Sequence, residues 1–386
     1  MIPERGGEST RGETGAAAAG EPAGAGHGVA RACRPIHRDS PARPSDPLLP
    51  GARQPRRVAT LAGWAIVGGS YAALLFAHVW PARFDSETPF WVATAWAAFM
   101  LRTFGLHVGV ALLAFAAVVA FARCWRMLVA TAPPLLVTLG PSLWLCLPRS
   151  TPAIAGQPLR IMSFNLLREN PQTQAALAEI RAARPDLLLL LEYTPRWHET
   201  LNPALAPELP HARHLIRRDS FGLAIYSRLP FVGEPQLPLR LGDAGTPQVR
   251  AVVRLDGREL VMYGVHLMPP FRWEWIVDQR QQFVGLLERV RGERSAVVLA
   301  GDFNFTNSGA FAEALRVLGM TDAHEIAGLG VGTTWPNHFG WLSRLPGIRI
   351  DHIFVSRELT SRESRVGVGG GSDHRPVVAL IGFRKE

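Results

Sequence analysis

Residues 295–304 read SAVVLAGDFN: a short apolar run, a glycine, then Asp302 and Asn304 two positions apart. A run of this length, rich in β-branched residues, is a buried strand. A strand needs no charged terminus to be stable, so one such ending would be read as a solvated end. The ending recurs, however. DLLLLLE at 186–192 closes on Glu192, and ELVMYGVHL at 259–267 carries His266 at its end. Rigid strand ends that present polar groups to a shared cleft are how many sites are built, and the repetition points to chemistry.

Working outward, further strands are predicted at LRIMSFNLL (159–167), FGLAIYS (221–227), QVRAVVRLD (248–256), GIRIDHIFVS (347–356) and HRPVVALIG (374–382). Helices are predicted between some of them, near 274–291 and 309–318. Another should follow Asn170 as cap and Pro171 as first residue, with Ala176, Leu177 and Ile180 at helical spacing toward the core. Strands alternating with amphipathic helices make an α/β layer fold. No internal repeat of fixed period is visible.

The residues before 155 are of another kind. Residues 1–57 are Gly, Ala, Pro, Arg and Glu with few large apolar side chains, a composition expected to stay disordered because it buries too little surface to offset its ordering entropy. Residues 58–148 form a membrane region with apolar spans expected near 58–80, 105–122 and 128–147, each close to the roughly 20 residues a helix needs to cross a bilayer. A purely soluble protein is thereby excluded. A signal peptide at 58–80 is disfavoured by the length of the run and by the spans that follow. The segment 89–104 carries Arg102, Trp91 and Trp96 and is read as interfacial.

Arg53, Arg56 and Arg57 precede the first span, and Arg123 and Arg126 join the second to the third. Both clusters should face the cytoplasm. Three crossings then place the N-terminus in the cytoplasm and the 155–386 domain outside it, anchored in the cell (inner) membrane; a fourth crossing at 89–104 would reverse this. The formal charge of +9 is spread evenly, with nine basic against six acidic residues in 1–57, five against two in 58–150, and 27 against 24 in 151–386. A dedicated nucleic-acid binder would concentrate its basic residues on one domain. Cys33, Cys124 and Cys146 all precede the domain, so it has no disulfide and no cysteine metal site.

In order, SFNLL (163–167), LLLLE (188–192), YGVHL (263–267), LAGDFN (299–304), RIDHIFVS (349–356) and GSDHRPV (371–377) resemble the endonuclease/exonuclease/phosphatase family, the DNase-I-like metal-dependent phosphoesterases. The resemblance spans nearly all of 158–383. With three spans in front and TTWP at 333–336, it is similar to the bacterial membrane-anchored branch. It implies a four-layer α/β sandwich (DNase-I-like) preceded by about three transmembrane helices, and a hydrolase of phosphodiester or phosphomonoester bonds that works by in-line attack of an activated water.

The resemblance also implies roles. Glu192, with Asn165 beside it, would hold Mg²⁺ or Mn²⁺, hard cations that take oxygen ligands. Asp373 would support the metal or the histidine beside it. Asp302 would activate the attacking water, and Asn304, two residues on and thus on the same face of an extended segment, would hold the phosphate or nucleophile in line. His266 and His374 would donate to phosphoryl oxygens, with Asp351 orienting His374. His352 is left out of this set. For Arg250 a phosphate contact and a solvated strand residue fit equally. Phe271, Trp273 and Trp275 in PPFRWEW are expected to be buried or to pack near the membrane.

The substrate stays open between nucleic acid, a lipid headgroup and a soluble phosphomonoester. No protein partner is identifiable. A non-catalytic binding module on a membrane anchor is the reading of another class; the intact acidic set argues against it, because clustered carboxylates repel one another. A transporter is disfavoured, since no span carries an acidic residue.

Overall fold

A computed structural model describes residues 53–338, 340 and 346–385. The disorder expected of the tail therefore lies, for 1–52, outside the described residues. Four helices come first: α1 (Arg53–Val79), α2 (Pro89–Thr103), α3 (Gly105–Phe121) and α4 (Trp125–Leu145). Two are long and apolar enough to cross a bilayer, Arg57–Val79 and Trp125–Leu145; a third crossing is available if α2 and α3, bent by 62° at their junction, count as one span. α3 has 17 residues, about 25 Å at 1.5 Å per residue, which is short of the ~30 Å hydrocarbon core on its own.

Two six-stranded sheets follow. The first runs β11 (Leu359–Val366), β12 (Val377–Arg384), β1 (Ile154–Asn165), β2 (Leu187–Leu191), β4 (Leu223–Ser227), β3 (His211–Leu215). The second runs β5 (Gln236–Arg240), β6 (Pro247–Leu255), β7 (Arg258–His266), β8 (Ala296–Asp302), β10 (Asp351–Val355), β9 (Thr321–Asp322). Each has one parallel pair at its centre, β1 with β2 and β7 with β8, flanked by antiparallel neighbours.

Period-2 alternation sorts the side chains into layers. Leu187, Leu189 and Leu191 of β2 and Val298 and Ala300 of β8 point into the core between the sheets, where each fully buried aliphatic side chain contributes roughly 1.5–3 kcal/mol. Leu188 and Leu190 point outward under α5 (Thr173–Ala183) and α6 (Pro195–Leu205). Val297 and Leu299 point outward under α7 (Trp275–Gly292) and α8 (Ala310–Val317). The result is helix, sheet, sheet, helix. Ala176, Leu177 and Ile180 of α5 are buried as expected, but the helix begins at Thr173; Asn170 Oδ1 instead accepts from Gln172 N at 2.9 Å in the turn leading into it.

α2 belongs to this body as much as to the apolar helices. Phe84, Val92, Ala95 and Phe99 are buried in the same cluster as Phe283 of α7 and Phe311 of α8, and the Phe84, Phe99 and Phe311 rings lie 5.7–6.3 Å apart. Arg102, an oddity in an apolar stretch, donates to Ser308 O and pairs with Glu313.

Candidate active site

The two parallel pairs end at the same place. On the second sheet His266 is in register with Asp302, and Asp302 with Asp351 across the antiparallel neighbour. On the first sheet Asn165 is in register with Leu191, and Glu192 follows immediately. Gly301 makes the close approach possible. Its φ is +143°, and a Cβ there would sit 1.9 Å from Val265 O, so only glycine fits. Leu167, Glu192 and Asn304 take left-handed φ values of 58°, 58° and 52°, a conformation that costs non-glycine residues energy and gathers where side chains must be aimed.

Asp302 is the hub. Its Oδ2 lies 3.3 Å from Asn165 Nδ2, 3.6 Å from His266 Nε2 and 3.7 Å from His374 Nε2, while its Oδ1 accepts from Asn304 N at 3.0 Å. His374 Nδ1 is 2.9 Å from Asp351 Oδ2. Asn304 Nδ2 donates to Leu267 O at 2.9 Å, Arg168 N to Glu192 Oε2 at 2.9 Å, and Trp335 Nε1 to Asp373 Oδ2 at 3.3 Å. Ser372 ties the β11–β12 loop, which carries Asp373 and His374, to the end of β1, donating to Asn165 O at 2.7 Å and accepting from His374 N at 3.0 Å.

The electrostatics divide the two histidines. Burial, helped by the charge on His374, pushes His266 down to about 4. Burial also opposes charge on His374, but Asp351 and Asp302 outweigh it and hold the imidazolium, raising it to about 10. His266 is thus neutral and His374 cationic near neutral pH. Burial and the neighbouring Asp351 charge hold Asp302 above the ordinary carboxylate range, which makes it a better base near neutrality. Burial likewise raises Glu192, and the Asp373 charge adds to this.

A hard cation fits this donor set. Asp373 Oδ1 is buried without a hydrogen-bond partner, and the mutual repulsion of Glu192 and Asp373 is what a cation would relieve. Among the described residues, Asp302, Asp351 and His374 also bring one donor atom each within 4.8 Å of one another; the proton that Asp351 and Asp302 hold on His374 makes its ring the weaker ligand of the three.

Of the residues expected in the site, Asn165, Glu192, His266, Asp302, Asn304, Asp351, Asp373 and His374 converge. Arg250 does not. It stands with its register partner Tyr263 on the outer face of the second sheet, and its guanidinium is held by Glu293 at 2.7 and 3.0 Å. A phosphate contact would require breaking that fork.

Several positioning residues were not expected. Gln248 is fully buried and clamps the His266 backbone, accepting from its N–H at 2.6 Å and donating to its carbonyl at 3.0 Å. Gln279 donates to the carbonyls of Phe303 and Asn304, and Gln282 accepts from Met268 N. Thr334 Oγ1 accepts from Ile350 N and Asp351 N. His352 faces away from the cleft and spans Asp322 and Phe305 O at 2.8 and 3.0 Å. Of the PPFRWEW aromatics, Trp273 packs into the outer core, whereas Phe271 is 66% exposed, its ring 6.4 Å from that of Trp335. The buried glutamines carry no signal in a single sequence, since polar residues are mostly exposed; TTWP was the one cue to Thr334 and Trp335.

A model of the Endonuclease/Exonuclease/phosphatase family matches residues 162–374, more than half of the chain and all of the converging residues. The chain belongs to this family. Members of the endonuclease/exonuclease/phosphatase family are hydrolases acting on phosphoester bonds. A UPF0294 protein of Vibrio cholerae serotype O1 is 30% identical over 129 residues, 33% of this chain and 41% of that protein. The chain thus spans about two fifths of the length of the curated relative it matches. Similar solved structures include an endonuclease/exonuclease/phosphatase of Beutenbergia cavernae (20% identity, TM-score 0.45, 59% of this chain and 72% of that one). TDP2 of Caenorhabditis elegans (20%, 0.49, 60% and 76%) and the human Nocturnin catalytic domain with bound sulfate anion (18%, 0.47, 60% and 96%) are others.

Proposed function

We propose that the chain is a membrane-anchored, divalent-metal-dependent phosphoesterase with a DNase-I-like catalytic domain. The observation that carries this reading is the buried Asp302, reached by Asn165, His266 and His374 from both sheets. Asp302, raised by burial, takes the proton of an attacking water. His374, held cationic by Asp351, and the neutral His266 donate to phosphoryl oxygens as charge builds. Asn304, tied to Leu267 O, keeps its amide in place beside them. Glu192, Asp373 and Asn165 would hold Mg²⁺ or Mn²⁺. When bound, that cation neutralises charge on the transferring phosphoryl group.

The anchor comprises α1, α3 and α4, three crossings in all, with α2 at the interface against the catalytic body. With the arginines around 53–57 and 123–126 on the cytoplasmic side, the catalytic domain faces outward, in the cell (inner) membrane of a bacterium. A second reading names a phospholipid-headgroup phosphodiester as substrate. It is favoured by the cleft rim, where Trp96 of α2 donates to Pro270 O at 2.8 Å and the neighbouring Phe271 is exposed.

The test is hydrolysis by the full chain in lipid nanodiscs of DNA, RNA, phospholipid and phosphomonoester substrates with Mg²⁺, Mn²⁺ or EDTA. Turnover of at least one substrate, abolished by EDTA, is expected. A folded chain that binds neither metal would favour the binding-module reading.

A further inference from the structure

Three loops at the cleft end of the second sheet are tied to the stretch of chain that joins α2 to α3. Trp96 Nε1 donates to Pro270 O, in the loop after β7, at 2.8 Å. Arg102 donates to Ser308 O, in the loop after β8. His107 Nε2 donates to Pro346 O, in the loop before β10, at 2.7 Å. A further tie joins Arg280 of α7 to Asp85 of the α1–α2 connection at 2.9 Å. α2 leads from the end of one apolar helix to the start of the next, so on the membrane-anchored reading it lies at the bilayer surface on the catalytic side. The cleft mouth is held at that level.

The loop after β7 reaches beyond these ties. Phe271 is 66% exposed and Trp275 37%, and the Phe271 ring stands beside that of Trp335, which donates to Asp373. A lone exposed ring is ordinary, but these have a particular setting. The Arg272 guanidinium lies over the Trp275 ring at 5.6 Å. The same pairing recurs with Arg83 over Trp91 at 4.9 Å and Arg149 over Trp144 at 4.7 Å, where the start of α2 and the end of α4 meet the same surface. Tryptophan beside a snorkelling arginine suits the headgroup boundary, with the apolar body inward and the charge in water. A nucleic-acid base would also stack on an exposed ring, but such sites need a basic groove, and 269–275 carries one arginine and one glutamate.

We propose that the 269–275 loop is a membrane wedge: Phe271 and Trp275 enter the leaflet on the catalytic side, and the cleft beside them receives its phosphoester from a phospholipid headgroup at that surface. The proposal rests on the membrane-anchored phosphoesterase reading above and deepens it. Trp273, packed against the outer core, holds the loop from behind, and Pro269 and Pro270 restrict its entry.

The experiment uses the full chain in nanodiscs of phosphatidylethanolamine and phosphatidylglycerol, with a benzophenone amino acid at position 271, 275 or 232. Val232 is as exposed as Trp275, but its N–H donates to Val252 O in the half of β6 remote from the cleft. Irradiation should give lipid adducts at 271 and 275, read by mass spectrometry, and none at 232. Phe271→Ser should lower kcat/KM on bilayer phospholipid about tenfold, the worth of withdrawing part of one aromatic side chain from apolar surroundings. Melting temperatures check that the variants stay folded. Equal adducts at all three positions, or capture of residues 1–52 or of a second copy in place of lipid, overturns the proposal. So does phospholipid turnover unchanged by Phe271→Ser, or DNA or RNA turned over in preference to phospholipid. Release of the chain from membranes by carbonate would instead overturn the anchor, and lipid adducts without turnover of any phosphoester would overturn the phosphoesterase reading.

Discussion

The two sheets repeat one strand pattern and put it to different uses. In each, a central parallel pair ends at the cleft, but β1 and β2 deliver Asn165 and the half-buried Glu192, whereas β7 and β8 deliver His266 and the fully buried Asp302. The difference lies in surroundings. Asp302 is enclosed by two histidines and an amide, which suits proton handling; Glu192 and its neighbour Asp373 are carboxylates that repel each other, and Asp373 Oδ1 is buried without a hydrogen-bond partner, which suits metal binding. On the mechanism proposed above, one architecture would split the reaction into a proton side and a cation side.

The largest effect should come from breaking the proton side. Asp302→Asn is expected to lower kcat by on the order of 10²–10⁴ on whichever phosphoester the full chain hydrolyses, with its melting temperature retained. Residual activity near that of the native chain would remove Asp302 from the proton role. Glu192→Gln tests the other side. Calorimetric titration with Mn²⁺ should show affinity weakened roughly tenfold or more, as loss of a hard carboxylate ligand implies, and weakened more than by Asp302→Asn. The reverse order would assign the cation to Asp302 and Asp351.

The histidines give a pH signature of intermediate size. His374 is raised from 6.5 to about 10, so its stabilising contribution is full below pH 6.5 and is lost as pH rises through about 10. His266 is lowered to about 4, so stability falls as pH drops from 6.5 through about 4. Melting temperatures should decline on both limbs, and His374→Gln should flatten the alkaline one and, by removing a charge that helps push His266 down, soften the acid one to a lesser degree. The smallest effect is expected from Arg250→Ala. Its ion pair with Glu293 is partly solvated, so stability should fall by about 1 kcal/mol or less, and kcat/KM should stay essentially unchanged because Arg250 stands outside the cleft. A large rise in KM would restore the phosphate contact.

Much of the domain was legible because its central strands are apolar on both faces. The eight runs read as strands correspond to β1, β2, β4, β6, β7, β8, β10 and β12, the interior strands of both sheets. The four that escaped notice, β3, β5, β9 and β11, are the four edges. HARHL and QLPLR keep much of their length in water, so they lack the apolar signal. Site residues were legible where a polar group interrupts such a run, as at Glu192 and Asp302. Arg250 misled because alternation tells that it faces away from Val249 and Ala251 but not that Glu293, 43 residues later, is waiting there. Gln248 and Gln279 were invisible for a related reason: only tertiary contact distinguishes a buried amide from a solvated one.

The docking of α2 has a consequence for how such proteins can vary. Phe84 and Phe99 on one side and Phe311 on the other share a single ring cluster, so a change of size in one must be matched in the others. Substitutions there should covary across relatives, and a chimera that exchanges the apolar helices between two of them should succeed only when the stretch from Phe84 to Thr103 travels with the catalytic partner it was fitted to.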